Sequence, residues 1–313
     1  VTAHELAEML YDSLQNKLLK LPDKTLVYPA HGAGSMCGKA LSDEAVSTLG
    51  EQRLYNYALQ PMNKEDFIKL VAADQPEAPA YFGYDATLNQ QERPNLDESM
   101  KKSMKALNLN TVFSLQKSGA QIIDVRDAAD FADAHLRDSL NIGIEGRFAT
   151  WAGTLLNTDV PIIIVAETNR VKEAIMRLGR IGFHNVKGYL KDGMESLKDH
   201  TYLISKTQRI SAAAIDELEG NITIIDIRNK NEWEGGHIEN STNIPLNHLM
   251  DRISEVPMSG PVIVHCQGGY RSMIATSLLE KEGRGNVFDL VGGYQAWVST
   301  KQPVTESVKQ AKS

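Results

Sequence analysis

An internal repeat limits the fold of this chain more than any other feature. Ile122-Ile-Asp-Val-Arg126 returns as Ile224-Ile-Asp-Ile-Arg228. At the same offset Phe131 falls on Trp233, His135 on His237, Ser139 on Ser241, Asn141 on Asn243 and Ile142 on Ile244. Pro161-Ile-Ile-Ile-Val165 then matches Pro261-Val-Ile-Val-His265, and Asp192-Gly193 with Leu197 matches Gly292-Gly293 with Trp297. A period of roughly 100 residues is too long for a solenoid turn and suits two tandem domains of one fold. Each copy alternates short β-rich runs with helical stretches, the pattern of an α/β domain with a doubly wound parallel sheet. In the second copy 223–227, Val262–His265 and Val287–Leu290 read as strands, and 232–235, 246–253 and 272–282 as helices.

The second copy carries the chemistry. An apolar strand delivers Cys266 into Gln267-Gly268-Gly269-Tyr270, and Arg271 opens an amphipathic helix. Loop amides, the positive end of a helix and a guanidinium all favour negative charge on the sulfur, and such surroundings lower a cysteine pKa from its usual value of about 8.5. The same cradle suits a small anion or a bound persulfide. The amides of Gln267, Gly268, Gly269 and Tyr270 are expected to stabilise a terminal sulfur, and Arg271 to brace the loop or meet the donor anion. The bland alternative is a small buried thiol at a strand end. Spacing separates two enzyme classes: cysteine phosphatases carry one more residue between cysteine and arginine, enough to ring a phosphate with amides. The tighter Cys-x-x-x-x-Arg here favours a smaller sulfane sulfur.

The first copy has Ala166 where the second has Cys266, and its loop, Ala166-Glu-Thr-Asn-Arg170, is one residue shorter. With no nucleophile and with Glu167 opposing anions, it is expected to be inactive and to serve packing between catalytic units or as a dimer surface. Asp124 with Arg126 and Asp226 with Arg228 recur where the chemistry differs, which points to structural ion pairs. His135 and His237 share that argument. His265 reads as a packing residue rather than a base, and Trp233 and Trp297 as core.

Composition closes off other classes. Among 313 residues, hydrophobic side chains at 42% promise a buried core, and a formal charge of −7 offers no basic stripe for nucleic acid. No apolar run is long enough to span a bilayer and no secretory pattern opens the chain, so a cytoplasmic protein without a membrane partner is expected. The two cysteines, Cys37 and Cys266, exclude a disulfide framework. Residues 1–93 repeat nothing. Leu6, Met9, Leu10, Leu14, Leu18 and Leu21 are spaced as the apolar stripe of a first helix ended by Pro22. A strand at 25–28 then leads into His31-Gly-Ala-Gly-Ser-Met-Cys-Gly38.

These motifs resemble known families. Residues 94–206 and 207–313 resemble rhodanese domains, through the Ile-Ile-Asp-Val/Ile-Arg opening, the histidine that follows and the closing Gly-Gly-Tyr-Gln-Ala-Trp297. Residues 1–93 resemble the C-terminal part of a metallo-β-lactamase (αββα) domain of the persulfide dioxygenase type. Tyr28-Pro-Ala-His-Gly-Ala-Gly-Ser-Met-Cys-Gly38 and Leu49-Gly-Glu-Gln-Arg-Leu-Tyr-Asn56 carry that likeness. The resemblance implies a sulfurtransferase acting on thiosulfate, low-molecular-weight persulfides or sulfite, with homo-oligomers common in such fusions. It implies a non-haem Fe(II) (or Zn) site in the intact parent, with His31 as one metal ligand and Cys37 as a second thiol near it. No His-x-His occurs in the sequence, so no cofactor is expected in the chain as it stands; the chain is expected to be part of a longer protein, with a degenerate metal domain as the alternative. A non-catalytic rhodanese-fold interaction module remains the rival reading, and a cysteine phosphatase a further one.

Overall fold

A computed structural model describes residues 2–29, 44–73, 96–300 and 303–305. The chain divides into two compact units, Val1–Ala78 and Pro79–Ser313. The first contains α1 (Ala3–Asn16), β1 (Leu26–Val27), β2 (Ser47–Thr48), α2 (Leu49–Tyr55) and α3 (Lys64–Ala72), with β1 and β2 antiparallel. Thr2 with Glu5, and Thr48 with Glu51, form capping boxes that fix where α1 and α2 begin.

The expected leucine stripe is not the buried face of α1. Phe67 and Ile68 of α3 close on Ala7, with Tyr11 and Leu14 beside it, while Leu6, Met9 and Leu10 are exposed. Ala7, Tyr11 and Leu14 follow helical spacing, and the small side chain of Ala7 lets α3 approach. The helix also stops at Asn16 rather than running to Pro22. Leu18 lies in a 3-10 turn and Leu21 just past it, and both are exposed.

In the second unit the repeat becomes visible as two copies of one topology. The first copy comprises α4 (Leu96–Ser103), β3 (Ala106–Leu107), α5 (Leu109–Lys117), β4 (Gln121–Asp124), α6 (Ala128–Asp133), β5 (His135–Leu136), β6 (Leu140–Asn141), α7 (Phe148–Leu155), β7 (Ile162–Val165), α8 (Val171–Arg180), β8 (Val186–Leu190) and β9 (Ile204–Ser205). The second comprises β10 (Gln208–Ile210), β11 (Thr223–Asp226), α9 (Lys230–Glu234), β12 (His237–Ile238), β13 (Thr242–Asn243), β14 (Val262–His265), α10 (Tyr270–Lys281), β15 (Val287–Leu290), α11 (Gly293–Ser299) and β16 (Val304–Thr305). Their five-stranded sheets run in the orders β3-β8-β7-β4-β6 and β10-β15-β14-β11-β13. Every pairing within them is parallel. Antiparallel ribbons, β5 with β9 and β12 with β16, close each copy.

Strand side chains alternate between two cores, as a sheet covered on both faces requires. Val262 and Val264 point into one cluster and Ile263 into another; Ile162 and Ile164 likewise part from Ile163 and Val165. The cluster holding Val264 also holds Ile164, so one apolar core runs through both copies.

That shared core corrects the expectation for the helix after Cys266. Residues Ser272 to Leu279 of α10 are all buried, so the helix is covered all round rather than amphipathic. The first copy supplies the second cover. Met273 packs with Phe131 and Ala132, and the Ser277 hydroxyl accepts from the Asn141 amide at 3.1 Å. Segment 246–253 also departs from expectation. Two 3-10 turns, Leu246–His248 and Ile253–Glu255, replace a helix. Successive i to i+3 bonds, such as His248 N to Pro245 O at 2.8 Å and Glu255 N to Arg252 O at 3.0 Å, turn Leu246, Leu249 and Val256 into the core.

Candidate active site

Strand β14 ends at His265 and places Cys266 at the carboxyl edge of the sheet, where open α/β sheets hold their ligands. The thiol is free and buried, beneath an exposed Gly268. Gly269 adopts φ +105° as the N-cap of α10, and this turn aims its amide at Cys266 Sγ, 3.2 Å away. Of the four loop amides, this one donates to the sulfur. The thiol in turn faces the Ser272 hydroxyl at 3.7 Å.

Two side-chain pairs hold the loop in place. Arg271 reaches back to Glu232 of α9 through two bonds of 2.7 Å. Burial alone would lower the pKa of Arg271, but the Glu232 bonds and the nearby sulfur hold it above its usual value. Glu232 resists burial in the same way. Desolvation would raise it, yet the Arg271 pair and the Asn229 amide keep its carboxyl below the ordinary range. The geometry thus gives Arg271 a bracing role. Gln267 turns its side chain to Arg228, whose Nη1 donates to Gln267 Oε1 at 3.1 Å.

The loop's inner edge rests on the closing glycine motif. Tyr294 N donates to Cys266 O at 2.7 Å, and Gln295 N donates to Gln267 O at 3.1 Å. Gly293 allows this approach, since a Cβ there would overlap the Cys266 carbonyl oxygen and stand 3.0 Å from the Gln267 carbonyl. Trp297, buried, donates its indole N–H to Pro303 O at 3.0 Å.

The repeated polar residues are structural in both copies. Asp226 grips Arg228, with Nη2 to Oδ2 at 2.7 Å, and Asp124 grips Arg126 at 2.6 Å. Each arginine also reaches a backbone carbonyl, Gly236 O or Ala134 O, at 2.8 Å. His135 stacks on Phe131 with centroids 3.9 Å apart, and His237 on Trp233 at 3.8 Å. Trp233, in α9, is therefore half-buried as a platform for His237 rather than a core residue, with its indole N–H donating to Ser241 Oγ at 3.3 Å. His265 is fully buried, and desolvation pushes its pKa down, so it stays neutral beside Asp226 and Cys266.

A family model described as "Rhodanese-like domain" matches residues 112–200 and 211–300. The chain belongs to this family. It is 42% identical over 74 residues to a Bacillus subtilis (strain 168) protein named uncharacterized protein YqhL, covering 24% of this chain and 59% of that one. It is 33% identical over 98 residues to a protein of Ectopseudomonas mendocina (strain ymp) named thiosulfate sulfurtransferase GlpE, covering 31% of this chain and 90% of that one. Among solved structures, a metallo-beta-lactamase from Staphylococcus aureus subsp. aureus COL is 26% identical with a TM-score of 0.49, covering 59% of this chain and 50% of that one. The chain thus spans less than two thirds of both YqhL and the staphylococcal chain.

The first rhodanese copy keeps the frame and lacks the reactive centre. Ala166 occupies the strand end, and Arg170 is engaged by Glu145 and by Glu173, the latter at 2.8 Å. Beside this loop, lined by Glu167 and Arg170, lies a cavity of about 220 Å³. Into that cavity projects Tyr270 of the second copy, whose hydroxyl donates to Gly143 O at 2.7 Å. The sequence named Tyr270 for its amide; the structure shows its side chain joining the two copies. Ser272, Asp289 and Glu232 were missed, although Ser272 lies next to Arg271 and could have been read as a second polar group at the loop's end.

His31 and Cys37 lie outside the described residues. Among the described residues no three His, Cys, Asp or Glu side chains come together to hold a metal ion, and no helix is long and apolar enough to cross a membrane.

Proposed function

We propose that the second rhodanese copy is a sulfurtransferase working through a persulfide on Cys266. The Cys266 thiolate attacks the outer sulfur of thiosulfate or of a low-molecular-weight persulfide. The donor's S–S bond breaks, and sulfite or a thiolate leaves with the electron pair. An acceptor thiolate, sulfite or cyanide then attacks the terminal sulfur, and Cys266 leaves as the thiolate. The Gly269 amide, 3.2 Å from Sγ, is the observation that carries this reading, since a fixed N–H dipole favours charge on that sulfur at no cost in reorganisation. Burial of the sulfur favours a narrow sulfane sulfur over a branched phosphoryl group. Relatives named thiosulfate sulfurtransferase add support.

Mass spectrometry after exposure to thiosulfate tests it. The peptide containing Cys266 should gain one sulfur atom, and Cys266→Ser should abolish the gain. An unmodified peptide together with turnover of an aryl phosphate would replace this reading with phosphatase chemistry.

For the whole protein, the resemblance of residues 28–38 to persulfide dioxygenases supports an Fe(II) oxygenase partner domain that supplies sulfite to this site. No step above is routed through iron. Iron content and persulfide-dependent oxygen uptake of the whole protein are the measurements that decide this part.

A further inference from the structure

The thiol is connected to a buried carboxylate that the sulfur-transfer steps leave unused. Ser272, in the first turn of α10, places its hydroxyl 3.7 Å from Cys266 Sγ and 2.6 Å from Asp289 Oδ1. Asp289, on β15, accepts from Arg209 Nε of β10 through its other oxygen at 2.9 Å. Cys266 is 1% exposed, and both Ser272 and Asp289 are 0% exposed, so the three groups lie together in the interior. A serine hydroxyl has one proton to give. Ser272 Oγ also lies 3.0 Å from Gly269 O, but the shorter, charge-assisted bond to Asp289 claims that proton, which leaves an oxygen lone pair facing the thiol.

We propose that Cys266 and Asp289 share one negative charge through Ser272, so that the thiolate forms by passing its proton inward rather than to solvent. The step balances without an outside reagent. The S–H bond breaks and its proton bonds to Ser272 Oγ; the Ser272 proton moves to Asp289 Oδ1. The charge leaves the carboxylate and appears on sulfur, and Ser272 now donates to the thiolate. This proposal rests on the sulfurtransferase reading only for its purpose, which is to hold a reactive thiolate in a buried site.

The surroundings are balanced for such an exchange. The Gly269 amide and Arg271 face the sulfur and favour charge there, while Arg209 favours charge on the carboxylate. Burial pushes the Asp289 carboxyl up from its ordinary value despite the Ser272 and Arg209 bonds, so it accepts a proton more readily than an exposed aspartate. Glu280, further along α10, faces Asp289, and neutral His265 flanks Cys266. Ser272 and Asp289 are positioning residues, since neither bonds to the transferred sulfur.

The test follows iodoacetamide alkylation of Cys266 across pH, which reads the thiolate directly. The wild-type rate should rise in two steps, as expected of two coupled sites. Asp289→Asn should collapse these to one step. Ser272→Ala should lose about tenfold in rate at neutral pH, the effect of one hydrogen bond to a charged atom, and Ser272→Thr should restore it. A single wild-type step, or an Asp289→Asn profile like the wild type, overturns the proposal. An infrared measurement on the wild type needs no variant to fold. At the plateau between the two steps, a protonated-carboxyl band should vanish when Cys266 is alkylated; no change overturns the relay. Sulfur loading from thiosulfate is scored separately. Its failure in the wild type defeats the transfer reading, whereas the relay stands or falls on alkylation and the infrared band.

Discussion

The ring of Tyr270 occupies the space a side chain on Gly146 would need: a Cβ there would overlap the ring and stand 2.7 Å from Cδ2. Gly146 belongs to the first rhodanese copy, Tyr270 to the reactive loop of the second. Arg177 donates to the carbonyls of Ile144 and Gly146 and holds this glycine segment from the other side. The copy without a cysteine therefore forms one wall of the loop that carries one.

Gly146→Ala should displace Tyr270 and, through its neighbours Gly269 and Arg271, the thiol loop. The expected result is at least a tenfold loss in persulfide formation on Cys266, with most of the fold retained, because only one half-buried contact is overpacked. Tyr270→Phe removes just the bond to Gly143 O and should cost about 1 kcal/mol of stability by denaturant unfolding. Gly146→Ala with unaltered loading would show that the loop does not depend on this wall.

Arg271 and Glu232 make the second test. Lysine cannot reproduce a two-pronged guanidinium–carboxylate pair. Arg271→Lys should therefore slow sulfur loading by about tenfold while the circular dichroism spectrum stays native, as expected for loss of one charge-assisted hydrogen bond near the loop. Glu232→Gln should slow it in the same direction through the same pair. Equal rates in all three proteins would remove Arg271 from the bracing role.

Glu280 gives the fold a pH dependence. Burial lifts its carboxyl from 4.5 to about 7, against the pull of the Thr207 hydroxyl at 2.8 Å. The folded protein therefore binds this proton more tightly than the unfolded chain does. The stabilisation is fully present below about pH 4.5 and is lost as pH rises through about 7. Glu280→Gln should raise Tm above pH 7, by an amount corresponding to about 1–2 kcal/mol once partial solvent screening is allowed for, and change little in acid. Thermal unfolding of both proteins at acid and alkaline pH checks the sign. A gain confined to acid pH would contradict it.

Much of this was legible from the chain. The strands Val262–His265 and Val287–Leu290 fall where the apolar runs place them, because a parallel strand buried on both faces is mostly apolar; His265 and Asp289 are their buried polar members. The paired Asp–Arg motifs declared a structural role by recurring in both copies. What stayed hidden depends on packing between copies. The all-round burial of α10 and the reach of Tyr270 to Gly143 join residues far apart in sequence, and the Ser272–Asp289 contact joins α10 to β15 within one copy. No local period encodes them. On α1 the error has another cause: leucines mark an apolar face, but α3 selected the neighbouring face around Ala7.

The first copy offers the sharpest check on why a thiol is reactive. Ala166→Cys would place a sulfur at the same strand end as Cys266, since β7 and β14 occupy matching positions in their sheets. Its loop differs in electrostatics. Arg170 is held by two carboxylates, Glu145 and Glu173, where Arg271 pairs with Glu232, and the turn is closed by Arg170 N donating to Glu167 O at 2.9 Å. No glycine amide corresponds to Gly269. In Ala166→Cys combined with Cys266→Ser, the new thiol should alkylate at least tenfold more slowly than Cys266 at neutral pH and gain no sulfur from thiosulfate. If the transplanted thiol loads as quickly as Cys266, then reactivity comes from the strand end alone, and the Gly269 amide is not what holds charge on the sulfur.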